Sequence, residues 1–152
     1  MAAECVRYND PAERQYNQVV EVALNFLNVH VLREPYNPFP DDQVPILYSV
    51  VDDGVLAAAG SVNYPSYEDD RFAFLGLFAV APEQQGRGFG RGLLEFIETD
   101  LRQLGALAVV TMPIMTYAPQ PEHGSHWVSR VRGFFEHLEY TPHDEDLMIK
   151  YL

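Results

Sequence analysis

The sequence predicts an α/β fold, a single mixed β-sheet with helices packed on it, and three observations carry that prediction. An apolar run, Phe72–Val80, is followed by a glycine-rich turn, an amphipathic stretch and a second apolar run at Ala106–Thr111. Strand, helix and strand in that order make a crossover, so these two strands should be parallel. Ahead of them, Asp52-Asp53-Gly54 separates two further apolar runs, which signals a hairpin and hence antiparallel pairing.

The elements follow in order. Cys5 to Tyr8 forms a short first strand. Asp10-Pro11-Ala12-Glu13 starts a helix, with an N-cap, a proline at the first helical position and an acid at the third. Tyr16, Val19, Val20, Ala23 and Leu27 make its apolar face, so it should run to about His30 or Arg33. Pro35, Pro38, Pro40 and Pro45 then impose an irregular loop. Ile46–Val51 and Val55–Tyr64 are the hairpin strands, and Pro65 to Arg71 is a polar connection. In the long helix after the glycine turn, Leu93, Leu94, Phe96, Ile97, Leu101 and Leu104 recur near helical spacing, with Glu95, Glu98, Asp100 and Arg102 on the other side. Gly105 is suited to ending that helix. Met112 to Trp127 is a second long loop with Pro113, Pro119, Pro121 and Gly124. Val128 to Leu138 is helical, and Leu147 to Leu152 is the last strand and a candidate sheet edge.

Composition bounds the rest. At 152 residues with 47% hydrophobic content, the chain fits one domain spanning residues 1–152. Cys5 is its only cysteine, so no disulfide framework exists. Met1-Ala2-Ala3-Glu4 lacks the basic and apolar regions of a secretory leader, so a cytoplasmic location is expected. No apolar run approaches the length of a membrane span. The net charge is −12 and Lys150 is the only lysine. Such a field disfavours nucleic acid and anionic membranes and attracts cations such as amines, although it also serves solubility or salt adaptation. Acid pairs such as Asp52-Asp53 read as solvated turns.

The most informative stretch is Gln85-Gly86-Arg87-Gly88-Phe89-Gly90-Arg91. A glycine turn feeding a helix N-terminus offers backbone N–H groups to an anion, and the helix dipole adds partial positive charge. Arg87 and Arg91 add fixed charge, so a phosphate or pyrophosphate is the natural guest. A dinucleotide-binding fold is disfavoured, because the preceding strand lies mid-chain behind an antiparallel hairpin and the glycines are too dense. No Gly-Lys-Ser/Thr follows, which excludes a P-loop.

With these residues in place the chain resembles the GNAT superfamily of acyl-CoA-dependent N-acetyltransferases. Three elements carry the resemblance. The first is the strand ending Leu77-Phe78-Ala79-Val80 before Pro82. The second is the pyrophosphate signature, Gln or Arg, two residues, Gly, one residue, Gly or Ala, which falls on Gln85, Gly88 and Gly90. The third is Gly133-Phe134-Phe135-Glu136-His137-Leu138-Glu139-Tyr140, similar to the family's late helix and its aromatic end. The match covers roughly residues 72 to 140.

The resemblance implies a GNAT fold, with helices on both faces of the mixed sheet and acetyl-CoA lying between two splayed parallel strands. It implies that backbone groups of Phe78 and Val80 bond the pantetheine arm. Backbone N–H groups of Gln85, Gly86, Arg87, Gly88, Phe89, Gly90 and Arg91 would wrap the pyrophosphate, and Arg87 or Arg91 would reach the adenosine phosphates. Phe134 and Phe135 would pack near the thiol end, although core packing is the stronger reading of Phe134. The implied reaction is direct attack of a primary amine on the acetyl thioester, the acceptor being a cationic small molecule or a peptide amine. It needs a base, an oxyanion donor such as the Val80 N–H, and an acid for the departing thiolate. Many family members dimerise, so a homodimer is a further expectation.

The chain departs from the family pattern at the acid. The usual tyrosine of the late helix aligns with Phe135, and an asparagine common earlier in the helix aligns with Val128. Substitute acids are Tyr117, His123 and His126 in the 112–127 loop; Glu68, Asp69 and Asp70 are candidate bases. Each also reads as an ordinary loop residue. His123 and His126 form an H-x-x-H, but without cysteine or a third ligand no metal site is expected. The alternative from another class is a non-catalytic GNAT-fold module that binds acyl-CoA as a sensor or docks a protein.

Overall fold

The computed structural model describes residues 3–8, 46–65, 71–84, 86–111, 132–143 and 147–152. Its strands are β1 (Glu4–Tyr8), β2 (Ile46–Asp52), β3 (Val55–Asn63), β4 (Phe72–Val80), β5 (Ala108–Thr111), β6 (Thr141–Pro142) and β7 (Met148–Tyr151). They form one sheet in the order β1-β2-β3-β4-β5-β7-β6. Among the described strands only β4 and β5 pair in parallel, and the helix α1 (Phe89–Gln103) makes the crossover between them. A shorter helix at 132–137 precedes β6. The mixed sheet expected from the crossover and the hairpin is therefore present. The helix expected from Asp10 to about Arg33 lies outside the described residues.

The hairpin turn at Asp53-Gly54 has φ of 53° and 79° at its two central residues. A type I′ turn needs positive φ at both, and Asp-Gly tolerates this better than most pairs. The turn leaves Asp52 paired with Val55 at the hairpin's end.

One face of the sheet carries the main core. Leu93, Leu94, Ile97 and Leu101 of α1 are fully buried against Tyr48, Val62, Ala73, Leu75, Phe78 and Val109. Each such aliphatic side chain contributes about 1.5–3 kcal/mol of transfer free energy. Phe72, Phe74, Ala108, Val110, Leu147 and Ile149 form a second cluster. Ala73 and Leu75, then Phe78 and Val80, belong to the main core. The parity of β4 thus switches between Leu75 and Phe78. The switch coincides with a register shift, Ser61↔Leu77 followed by Val62↔Leu75, which leaves Gly76 as an extra residue. An extra residue in one strand turns every later side chain to the opposite face.

Both helices end in the same way. Ala106 N–H bonds Leu101 C=O and Gly105 N–H bonds Arg102 C=O; Tyr140 N–H bonds Phe135 C=O and Glu139 N–H bonds Glu136 C=O. These are Schellman motifs, each with its penultimate residue in the left-handed region. Gly105 (φ 99°) suits that conformation, whereas Glu139 (φ 76°) holds it without a glycine.

Two expectations are corrected. The last strand is not an edge: Thr141 and Pro142 pair with Ile149 and Met148, so β7 lies between β5 and β6. A proline-containing pair of residues carries no strand signal of its own. Glu98, expected on the solvent side of α1, is buried. Its carboxylate accepts hydrogen bonds from Tyr140 Oη (2.9 Å) and Lys150 Nζ (3.0 Å), so this buried polar group is satisfied.

Candidate functional site

The site forms where β4 leaves the sheet and α1 begins. The β4–β5 ladder runs from Phe72↔Ala108 to Leu75↔Thr111, and β4 continues beyond it through Gly76 to Val80. Thr111 Oγ1 donates to the Leu75 carbonyl at 3.2 Å, closing the end of that ladder. Beyond it, Ala81 N–H bonds the Ala57 carbonyl of β3 at 2.8 Å. Backbone groups alternate along a strand, so Phe78 and Val80 turn theirs away from β3, to the side on which β5 stands lower down.

A short 3₁₀ turn (Pro82–Gln84) then leads into the glycine stretch. Gly86 and Gly88 have φ of 82° and 87°, and a Cβ at either would meet nothing within 4 Å. Their backbone therefore lies open to a guest and adopts a conformation that side-chain-bearing residues rarely hold. Gly88 is the N-cap of α1, with no side chain to satisfy the first helical N–H groups. Those at Phe89, Gly90 and Arg91 precede the first intrahelical bond, from Gly92 N–H to the Gly88 carbonyl. Gly90 has a different reason to be glycine. A Cβ there would lie 3.2 Å from Val80 Cγ2 and 3.5 Å from Phe134 Cζ. Its bareness lets the start of α1 sit flush on the end of β4.

Charge completes the turn. The Arg87 guanidinium lies 4.9 Å from the centre of the Phe89 ring; its Nη1 donates to Gln84 Oε1 and stands 3.6 Å from Asp52 Oδ2. Arg91 Nε pairs with Glu95 Oε1 at 3.0 Å across one exposed helical turn. Asp52, read from sequence as a solvated turn acid, is thus brought to the glycine turn. Neither spacing nor composition signals that approach, which depends on hairpin and crossover meeting at one end of the sheet.

Aromatic rings close the other side. Phe78 lies 5.9 Å from Phe134 and 6.2 Å from Phe135 between ring centres, and Phe135 packs edge-on against both Phe134 and Tyr140 at 5.2 Å. Phe135 is 1% exposed and belongs to the core. Phe134, half-buried, is the ring that reaches the glycine turn. The sequence favours core packing for Phe134, and adjacent aromatics on a short helix carry no sign of which one faces the turn.

The structure thus brings together Phe78, Val80, Gly86, Arg87, Gly88, Phe89, Gly90, Arg91 and, behind them, Phe135. Gln85, Glu68, Asp69, Asp70, Tyr117, His123, His126 and Val128 lie outside the described residues. Among the described residues, no group of three His, Cys, Asp or Glu side chains could hold a metal ion, and no helix is long and apolar enough to cross a membrane.

Comparison with known proteins agrees with this arrangement. The model of the acetyltransferase (GNAT) family matches residues 9–118, which is most of the chain, and the chain belongs to that family. Solved structures share the fold over nearly the whole length. A GNAT-family acetyltransferase from Staphylococcus aureus is 10% identical, with 99% of each chain covered and a TM-score of 0.68. Escherichia coli YhhK bound to coenzyme A is 19% identical, with 100% of each chain covered and a TM-score of 0.63. A GNAT-family acetyltransferase from Brucella melitensis in complex with acetyl-CoA is 15% identical, covering 98% of this chain and 88% of that one, with a TM-score of 0.58. Among curated proteins, none matches the chain significantly.

Proposed function

We propose that the protein is an N-acetyltransferase that takes acetyl-CoA as co-substrate and acetylates a primary amine. The observation that carries the reading is the open glycine turn at Gly86 and Gly88, which feeds an uncapped helix N-terminus seated on the end of β4. That cradle fits a pyrophosphate. It presents backbone N–H groups to oxygens, it has no side chains in the way, and Arg87 and Arg91 stand beside it. Coenzyme A and acetyl-CoA in two solved structures of this fold support the same ligand class.

In this reading the N–H groups from Gly86 to Arg91, with that of Gln85, hold the pyrophosphate. Phe78 and Val80 align the pantetheine arm along the part of β4 beyond the β5 ladder, with Phe134 packed beside the glycine turn and Phe135 behind it. Bound acetyl-CoA supplies the thioester that the amine attacks. In this reading Val80 N–H stabilises negative charge developing on the carbonyl oxygen. Phe135 has no proton to give, so the acid comes from elsewhere; Tyr117 and His126 are the candidates, and Glu68 is the candidate base. The acidic field of the chain, at −12, favours a cationic acceptor.

A second reading, a module that binds acyl-CoA without turnover, draws on the buried Phe135 at the position where a tyrosine acid would stand. Calorimetric titration with acetyl-CoA, followed by thiol release across a panel of amines, separates the two. Amine-dependent thiol release establishes the transferase, and binding without release on any amine favours the sensor. Gly88→Asp is expected to abolish CoA binding in a protein that still folds, because its carboxylate would enter the open space of the cradle. Unchanged affinity in that variant would overturn the ligand assignment.

A further inference from the structure

The described polar contacts of Arg87 all fall on one corner of its guanidinium. Nη1 meets Gln84 Oε1 and Asp52 Oδ2, and Cζ lies 4.9 Å from the centre of the Phe89 ring. Among the described residues, no contact occupies the Nη2–Nε edge. That edge is the fork that grips two phosphate oxygens at once. An arginine side chain left to itself samples many rotamers, and binding a phosphate must freeze them. Here the freezing is already done from behind. Asp52 is suited to the task because it closes a tight hairpin, paired with Val55 beside a two-residue turn, and its side chain is 20% exposed against 55% for Arg87. At 3.6 Å the pair is an ion contact rather than a hydrogen bond.

We propose that Asp52 is a positioning residue for the cofactor phosphates: it orients Arg87 so that the Nη2–Nε edge of the guanidinium faces the anion held by the glycine turn. This rests on the reading of that turn as the CoA site. A negative charge near a polyanion otherwise only repels it, so the proposal makes a signed prediction. Asp52→Asn keeps size and turn preference but removes the charge. It should weaken CoA binding about two- to fivefold, the range of a partly exposed ion pair.

The test is a double-mutant cycle read by calorimetry with CoA, using the unmodified protein, Asp52→Asn, Arg87→Gln and the double variant. With Arg87→Gln in place, Asp52→Asn should cost nothing or tighten binding slightly, because only the repulsion remains to be removed. A second variant, Asp52→Ser, should repeat the pattern. Unchanged or tighter binding by Asp52→Asn alone would overturn the proposal, as would equal weakening with and without Arg87. If the unmodified protein binds CoA and Asp52→Asn behaves in either of those ways, only the role of Asp52 falls. If the unmodified protein binds no CoA, the ligand assignment falls and this proposal with it.

Discussion

Any residue larger than glycine at position 90 brings a Cβ within 3.2 Å of Val80 Cγ2, tighter than ordinary packing allows. An alanine needs only small shifts of Val80 and Phe134. A β-branched residue must push α1 away from β4. Gly90→Val is therefore expected to cost about 1–3 kcal/mol in urea denaturation. It should also weaken CoA binding, because the helix N-terminus moves relative to the strand end. Stability and affinity equal to those of the unmodified protein would show that the close approach is incidental. Gly90 could be flagged from the sequence as part of a glycine turn, yet its reason is invisible there: the atoms it avoids belong to residues 80 and 134. Asp52 is a sharper case. An Asp-Asp-Gly turn reads as solvent-facing, and nothing local says that an arginine from another loop will lie beside it.

At the scale of the element, α1 is held across the sheet by two carboxylates only two residues apart. Residues at that separation point about 200° apart around a helix. Asp100 accepts from Arg7 Nη1 (2.9 and 3.0 Å) and Tyr48 Oη (2.6 Å) on the β1–β2 side. Glu98 accepts from Tyr140 and Lys150 on the β7 side. Glu98→Ala leaves a buried phenol and a half-buried ammonium without this acceptor, and should cost about 1–3 kcal/mol by urea denaturation. Glu98→Gln, which keeps an acceptor, should cost less. The tyrosines add a pH signature. Burial first, and then the neighbouring carboxylates, push the Tyr48 and Tyr140 hydroxyls well above their ordinary value of 10.0. The folded state therefore holds these protons more tightly than the unfolded one, so stability is intact below about pH 10 and declines as pH rises above it. Tyr48→Phe should flatten that decline in denaturation midpoints measured from neutral to alkaline pH; an unaltered slope would contradict it. Helical periodicity located α1 and most of its apolar stripe, but Leu104, read as part of that stripe, is the exposed C-cap. Periodicity placed Glu98 on the wet side, because a carboxylate's burial depends on partners contributed by distant elements.

The whole molecule carries 22 acidic and 10 basic residues, an excess of acid that ion pairs such as those of Glu98 and Asp100 cannot cancel. Uncompensated like charge destabilises a compact state and is screened by salt. Raising ionic strength from about 0.01 M to about 0.5 M, where the screening length shrinks from roughly 30 Å to a few ångströms, should raise the thermal midpoint. A falling midpoint would mean that the ion pairs of α1 outweigh the general repulsion.

The sequence by itself determined the hairpin, the parallel crossover with its helix α1, and the glycine turn. These rest on short-range chemistry: apolar periodicity, the positive φ that glycine permits, and the handedness of a strand–helix–strand unit. The tertiary structure alone decided the bulge at Gly76, because an all-apolar strand shows no alternation from which a switch of faces could be read. It alone decided that Phe134 and not Phe135 meets the turn, that β6 covers the last strand, and that Asp52 stands behind Arg87. Each depends on which distant segments share one end of the sheet, and packing settles that, not spacing along the chain.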